Sequence, residues 1–319
     1  MASKQTTGPG HDRIDQDNTA PGPLEMDGLP MPRRIWAICA ISFGTALFVV
    51  DGAIANVALP TIARDLSVSN GAVTSVVTVY QLVMVMVLLP FATIGDRIGH
   101  RRLYQIGQVI FFLASAAALL IDSFWHLIAV RVLQSFGAGI ALSVSAAMLR
   151  TIYPAKSLGS GLGINSVIVA TAYAVSPTLG GFIVEHLDWR WVFVAAAPLA
   201  LISLAIGRFL PEPQPRSGRV DTISGLWSAL TALLLIGGLT LATHDMIVPG
   251  LAAIVAGVIS AFLLTRRENG KERPILPVDL MRRPVIGLSV LAAVCAFVAS
   301  AMLIVALPFR FEQGMGYAP

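Results

Sequence analysis

An aspartate and an arginine, Asp51 and Arg131, lie inside runs of sequence that are otherwise almost wholly apolar. Asp51 sits in residues 48–60 (Phe-Val-Val-Asp-Gly-Ala-Ile-Ala-Asn-Val-Ala-Leu-Pro), and Arg131 in residues 128–139 (Ile-Ala-Val-Arg-Val-Leu-Gln-Ser-Phe-Gly-Ala-Gly). An ionised carboxylate in hydrocarbon costs several kcal/mol if unpaired, so Asp51 must face a wet cavity, find a cation or hold a proton. A group that lives between those options can take up and release a proton. Arg131 keeps its charge at any physiological pH and must find acceptors, for which Asp51, Gln134 or a backbone carbonyl are candidates. A fixed cation beside such a carboxylate biases when the proton leaves. The bland readings are an Asp51 hydrated near the headgroups and an Arg131 whose long side chain reaches the interface.

The elements that would carry these charges are membrane spans. Hydrophobic residues make up 55% of the 319 and charged residues 13%, a balance that suits lipid more than water. About 20 apolar helical residues cross a hydrocarbon core of about 30 Å. By that measure nine spans are expected, near residues 35–59, 72–94, 103–121, 124–149, 159–184, 191–210, 222–243, 247–265 and 285–309. The fold class is therefore an all-α integral membrane protein. Basic residues gather in every second connection: Arg33 and Arg34, then Arg97 with Arg101 and Arg102, then Arg150 and Lys156, then Arg208, then Arg266 and Arg267. Retention of Lys and Arg on the cytoplasmic side places these connections, and the N-terminus, inside.

The net charge of +4 resides in those short connections and forms no stripe for nucleic acid. No phosphate-cradling glycine loop, Ser/His/Asp arrangement or metal spacing occurs, so ATP, a cofactor and enzymatic chemistry are not expected. Cys39 and Cys295 lie apart in apolar runs. The five histidines fall in the tail or connections and are read as solvated.

Organisation follows from the hydrophilic stretches. Residues 1–32 read as a disordered tail, 33–210 as a six-helix unit, 211–221 as a Pro-rich linker and 222–265 as two further helices. Residues 266–284 form a loop before the ninth span in 285–319, and the odd count is expected to reflect an incomplete second half. Within the spans, Asn56, Gln81 and Gln134 are candidates to line a cavity, with Gln108, Asn165 and Tyr173 as further intramembrane polar groups. Span five carries Pro177, Gly180 and Gly181, which predicts a kinked helix packed closely on a neighbour.

Taken in order, these segments resemble the signatures of the major facilitator superfamily, and of its fourteen-helix drug:proton antiporter branch in particular. Gly95, Asp96, Arg97, Gly99 and Arg101, in residues 95–102 (Gly-Asp-Arg-Ile-Gly-His-Arg-Arg), resemble the signature between helices two and three. Residues 131–139 are similar to the helix-four signature, residues 176–181 to the helix-five antiporter signature, and residues 51–60 to the first-helix motif of that branch. Ala53, Ala92, Ser135 and Ser176 depart from the usual residues, the last two replacing glycine. The resemblance implies proton-coupled efflux of amphipathic, cationic compounds across the inner membrane of a bacterium. Small-molecule substrate, protons and membrane lipid are then its partners. In that picture Asp51 and Arg131 couple proton to substrate, Asp96 and its basic neighbours gate the cytoplasmic side, and the fifth helix limits leakage. The alternatives are a facilitator for another solute, such as a siderophore, amino acid or sugar, and a non-transporting remnant.

Overall fold

In the computed structural model, the residues described are 28–212, 221–243, 246–269, 271 and 283–309. The expected disordered tail, most of the linker at 213–220 and most of the loop before the last helix lie outside them. The described chain is helical throughout: α1 Met31–Asp65, α2 Asn70–Ile98, α3 His100–Ala117, α4 Phe124–Ile152, α5 Leu158–His186, α6 Ala197–Ile206, α7 Thr222–Thr243, α8 Ile247–Glu268 and α9 Pro284–Phe309. Eight of these, counting their flanking 3-10 turns, are long and apolar enough to cross a membrane.

α1, α2, α4 and α5 run to 29 residues or more, longer than the apolar rule requires, and side-chain caps mark the start of two of them. Ser69 accepts a hydrogen bond from the Ala72 amide at the start of α2, and Ser123 does the same for His126 at the start of α4. The sixth span is broken into a 3-10 turn at Trp189–Phe193, the short α6, and a second 3-10 turn at Gly207–Phe209. Asp188 caps the first turn through the Arg190 amide, and Pro198 sits in the first turn of α6.

α1 packs on α5 and α6, α3 on α4, and α2 on α4 and α7. At the α3–α4 contact Gly107 and Gly137 face each other. A Cβ on either would stand 2.6 Å from the other's carbonyl oxygen, so the two backbones meet with no room for a side chain. α7 rests on α2 where Gly225 meets Pro90.

Connections expected on one side of the membrane do meet. Arg33 donates to the Phe209 and Leu210 carbonyls, the Leu29 amide bonds the Ile152 carbonyl, and Arg102 lies 3.3 Å from Glu212. At the opposite end Arg190 grips Asp188 at 2.9 Å and the carbonyl of Ile121, while Trp189 donates to Asp65 at 2.7 Å. That clasp joins three connections of the same end.

Candidate functional site

Two apolar clusters fill the bundle, and the charged pair stands where they meet. One runs through Phe48, Tyr80, Phe111 and Met148 toward the Gly99 end; the other runs through Val50, Ile54, Leu127 and Phe193 toward the Arg190 end. Between them Arg131 Nη1 donates to Asp51 Oδ2 at 2.9 Å, and both side chains are 0% exposed. α1 presents Asp51 on its inner face because residues 47, 51, 54, 55 and 58 all point inward at helical spacing.

Arg131 also donates to Gln134 Oε1 at 3.1 Å, and Gln134 Nε2 donates to Ser115 Oγ and to the Phe193 carbonyl, each at 2.9 Å. Gln134 is therefore an enclosed residue whose hydrogen bonds fix Arg131. The guanidinium lies 4.0 Å from the centroid of the Tyr80 ring and 5.3 Å from that of Phe193, within cation–π range of both. Asp51 Oδ1, Arg131 Nε and Nη2, and the Tyr80 hydroxyl are enclosed without a hydrogen-bond partner. The pair is thus held firmly by one charge contact while other polar atoms remain uncommitted. Among the pair's neighbours, Tyr80, Ser115 and Phe193 were missed in the sequence, since an aromatic or a serine in an apolar run gives no signal of its own.

Ser135 and Ser176, the departures from glycine, are both fully buried. Ser135 donates to the Tyr80 carbonyl and Ser176 to the Ala172 carbonyl at 2.6 Å, so each hydroxyl is satisfied locally and the small volume is kept. Asn56 and Gln81 are exposed on the bundle surface, Asn56 bonding back to the Ala53 carbonyl at 3.2 Å.

The segment at 95–102 is not a loop. Gly95, Asp96 and Arg97 complete the last turn of α2, Gly99 alone breaks the helix at φ 101°, and His100 opens α3. That backbone conformation favours glycine, and the Gly99 amide closes α2 on the Gly95 carbonyl at 3.0 Å. Gly95 is pressed against Val144 of α4, where a Cβ would lie 2.5 Å from Val144 Cγ1. Asp96 Oδ1 is 3.1 Å from His100 Nε2, and His100 is buried rather than solvated, as the rule for loop histidines had suggested. Arg97 is exposed at the helix end, Arg101 is half-buried, and Arg102, expected as a mere anchor, pairs with Glu212.

α5 runs through Pro177 as one helix from Leu158 to His186. Gly180 meets α1 closely, a Cβ there falling 2.9 Å from Ile54 Cγ1, but a Cβ on Gly181 would meet nothing within 4 Å. The expected tight contact therefore belongs to one glycine of the two.

The sequence profile of the Major Facilitator Superfamily matches residues 41–319. The chain belongs to this superfamily. Proteins similar to the chain include bacterial transporters. It is 41% identical to the uncharacterized transporter YebQ of Escherichia coli over 92% of this chain and 65% of that protein. It is 29% identical to the riboflavin transporter RibZ of Clostridioides difficile over 91% of this chain and 63% of that protein. It is also 29% identical to the multidrug efflux pump LfrA of Mycolicibacterium smegmatis, over 90% of this chain and 58% of that pump. The chain thus spans less than two thirds of the length of each of these relatives.

Proposed function

We propose that the whole protein is a proton-coupled antiporter that exports amphipathic, cationic compounds, with Asp51 as the group that exchanges proton for substrate. The observation that carries this reading is the Asp51–Arg131 contact, 0% exposed at the junction of two apolar clusters. A carboxylate kept there by a single cation is stable while charged, and neutralising it by a proton releases the contact without stranding a negative charge in lipid. Exchange of one proton for one monovalent cation moves no net charge, so the pH gradient, worth about 1.4 kcal/mol per unit, makes the exchange directional. The name of LfrA, a multidrug efflux pump, supports the substrate class.

The basic connections support an orientation with the Gly99 end and the N-terminus in the cytoplasm. In the same reading residues 33–210 form the N-terminal half and α7 and α8 are an insertion. α9 opens a second half against which the first rocks about a midplane site. Asn56 and Gln81, exposed on this half, face the substrate path, and the α2–α3 junction with Asp96 closes the cytoplasmic side. The close contact of Gly180 with α1 keeps the fifth helix sealed against leakage.

The test is movement of a cationic dye into inside-out vesicles carrying the full-length protein, whose outer face is the cytoplasmic one. Imposing a proton gradient drives dye movement in the wild type, and Asp51→Asn abolishes it. Proton-driven dye movement that survives Asp51→Asn refutes the assignment. RibZ, at the same 29% identity, supports a second reading in which the cargo is a heteroaromatic such as riboflavin. Competition by riboflavin but not by cationic dyes would select it.

A further inference from the structure

Every contact of Arg131 other than Asp51 is with a neutral group. Gln134 accepts from it at 3.1 Å and is pinned in turn by Ser115 and by the Phe193 carbonyl. The Tyr80 and Phe193 rings lie 4.0 and 5.3 Å from its central carbon. Both rings are themselves immobilised. Tyr80 is 1% exposed, and its carbonyl takes the Ser135 hydroxyl. Phe193 is 0% exposed, stands edge-on to Trp189 at 6.1 Å, and belongs to the 3-10 turn capped by Asp188.

We propose that Tyr80 and Phe193 form an aromatic clamp that keeps Arg131 in the membrane core when Asp51 becomes neutral, so that Asp51 and α1, not Arg131 and α4, are the mobile side of the pair. This rests on the reading of Asp51 as the proton-exchanging group and deepens it. While Asp51 is charged, it compensates the guanidinium, and the rings add little to what the carboxylate already supplies. Once Asp51 is neutral, the cation has no other charge partner within contact among the described residues, and a ring face is the nearest source of negative potential. The clamp therefore favours the protonated state over the charged one. The titratable and charged groups around the pair are Asp51 from α1, Tyr80 from α2 and Arg131 from α4. α3 and the 3-10 turn contribute the neutral Ser115 and the Phe193 carbonyl through Gln134. Tyr80 and Phe193 act as positioning residues, since they work through Arg131.

The experiment titrates the full-length protein in detergent by infrared difference spectroscopy, following the carbonyl stretch of the protonated carboxyl, with thermal unfolding measured in parallel. The Asp51→Asn variant assigns the band. Tyr80→Met fills the volume without a ring face, Tyr80→Phe keeps the face without the hydroxyl, and Phe193→Leu removes the more distant ring. The expected result is a midpoint about one pH unit lower in Tyr80→Met, equal to a tenfold loss in proton affinity. Phe193→Leu lowers it less, and Tyr80→Phe, which keeps the ring face, does not lower it. A Tyr80→Met protein that unfolds like the wild type and titrates at the wild-type midpoint overturns the clamp. So does a Tyr80→Phe midpoint as low as that of Tyr80→Met, which would give the effect to the hydroxyl. If Tyr80→Met does not fold, Phe193→Leu decides, and an unchanged midpoint there overturns the proposal. A band that persists in Asp51→Asn instead refutes the underlying assignment of the proton to Asp51, an outcome distinct from failure of the clamp alone.

Discussion

Two of the acid–base contacts that join separate helices among the described residues differ chiefly in depth. Asp51 and Arg131 are enclosed at the middle of α1 and α4. Asp221 and Lys271 stand just beyond the ends of α7 and α8 with their side chains 33% and 32% exposed, joined by the nearly buried Glu268 and by Ser224. When one partner of the enclosed contact is removed, nothing replaces it, at a cost of about 3–5 kcal/mol. When one partner of the wetter contact is removed, water takes its place and the cost is about 1 kcal/mol or less. The same pairing of charges therefore suits a switch in the core and a staple at the rim.

The contrast is broken most directly at its deep end. Arg131→Ala is expected to lower stability by about 3–5 kcal/mol, read as a drop of several degrees in thermal unfolding in detergent. Unfolding at the wild-type temperature would show that the pair contributes nothing to the bundle. Next in size is a matched pair of glycine substitutions. Gly137→Ala forces a Cβ into the α3–α4 contact and is expected to cost about 1–3 kcal/mol or more, whereas the Cβ of Gly181→Ala meets nothing within 4 Å and leaves abundance in the membrane unchanged.

At the rim the expectation concerns pH. The hydrogen bond from Lys271, followed by that from the Ser224 amide, holds the Asp221 carboxyl well below the usual carboxylate range. The hydrogen bonds to Asp221 and Glu268 push Lys271 upward. A depressed carboxyl contributes stability that is full above its unfolded value, near 4, and is lost as pH falls through the folded one. A raised amine contributes stability that is full below its unfolded value, near 10.4, and is lost as pH rises through the folded one. The staple should therefore hold across the neutral range and loosen only in strong acid or strong base. Amide exchange at the start of α7, where Ser224 donates to Asp221 at 3.0 Å, reads this directly. Asp221→Asn should raise that exchange several-fold at pH 7, and an unchanged rate would remove the staple. Smallest of all is Arg102→Ala at the exposed Glu212 contact, with an expected change in unfolding free energy below about 0.5 kcal/mol.

Much of this was legible in the residues. Apolar length gave the helices and their order, and a charge inside an apolar run marked Asp51 and Arg131 because lipid tolerates such a residue only with a partner. What surrounds the pair was not legible, because Tyr80 and Phe193 belong in any apolar helix and only packing turns their faces toward Arg131. Gln134 was visible as a polar residue but not as an enclosed one, since helical spacing fixes a direction and not the neighbour met there. The junction at Gly99 misled for a related reason. Charge and glycine suggest a loop, yet Asp96 and Arg97 are compatible with helix, and one residue at positive φ was enough to turn the chain.

The facing glycines of α3 and α4 have a consequence at the level of genes. Every missense codon at Gly107 or Gly137 adds at least a Cβ, and that atom would fall 2.6 Å from a carbonyl oxygen. If the protein exports toxic compounds as proposed, a genetic screen scored only by loss of resistance would recover these two positions beside Asp51 and make two unlike defects look alike. Counting the protein that reaches the membrane separates them, since the glycine variants should be scarce and the variant unable to exchange its proton should be present but silent.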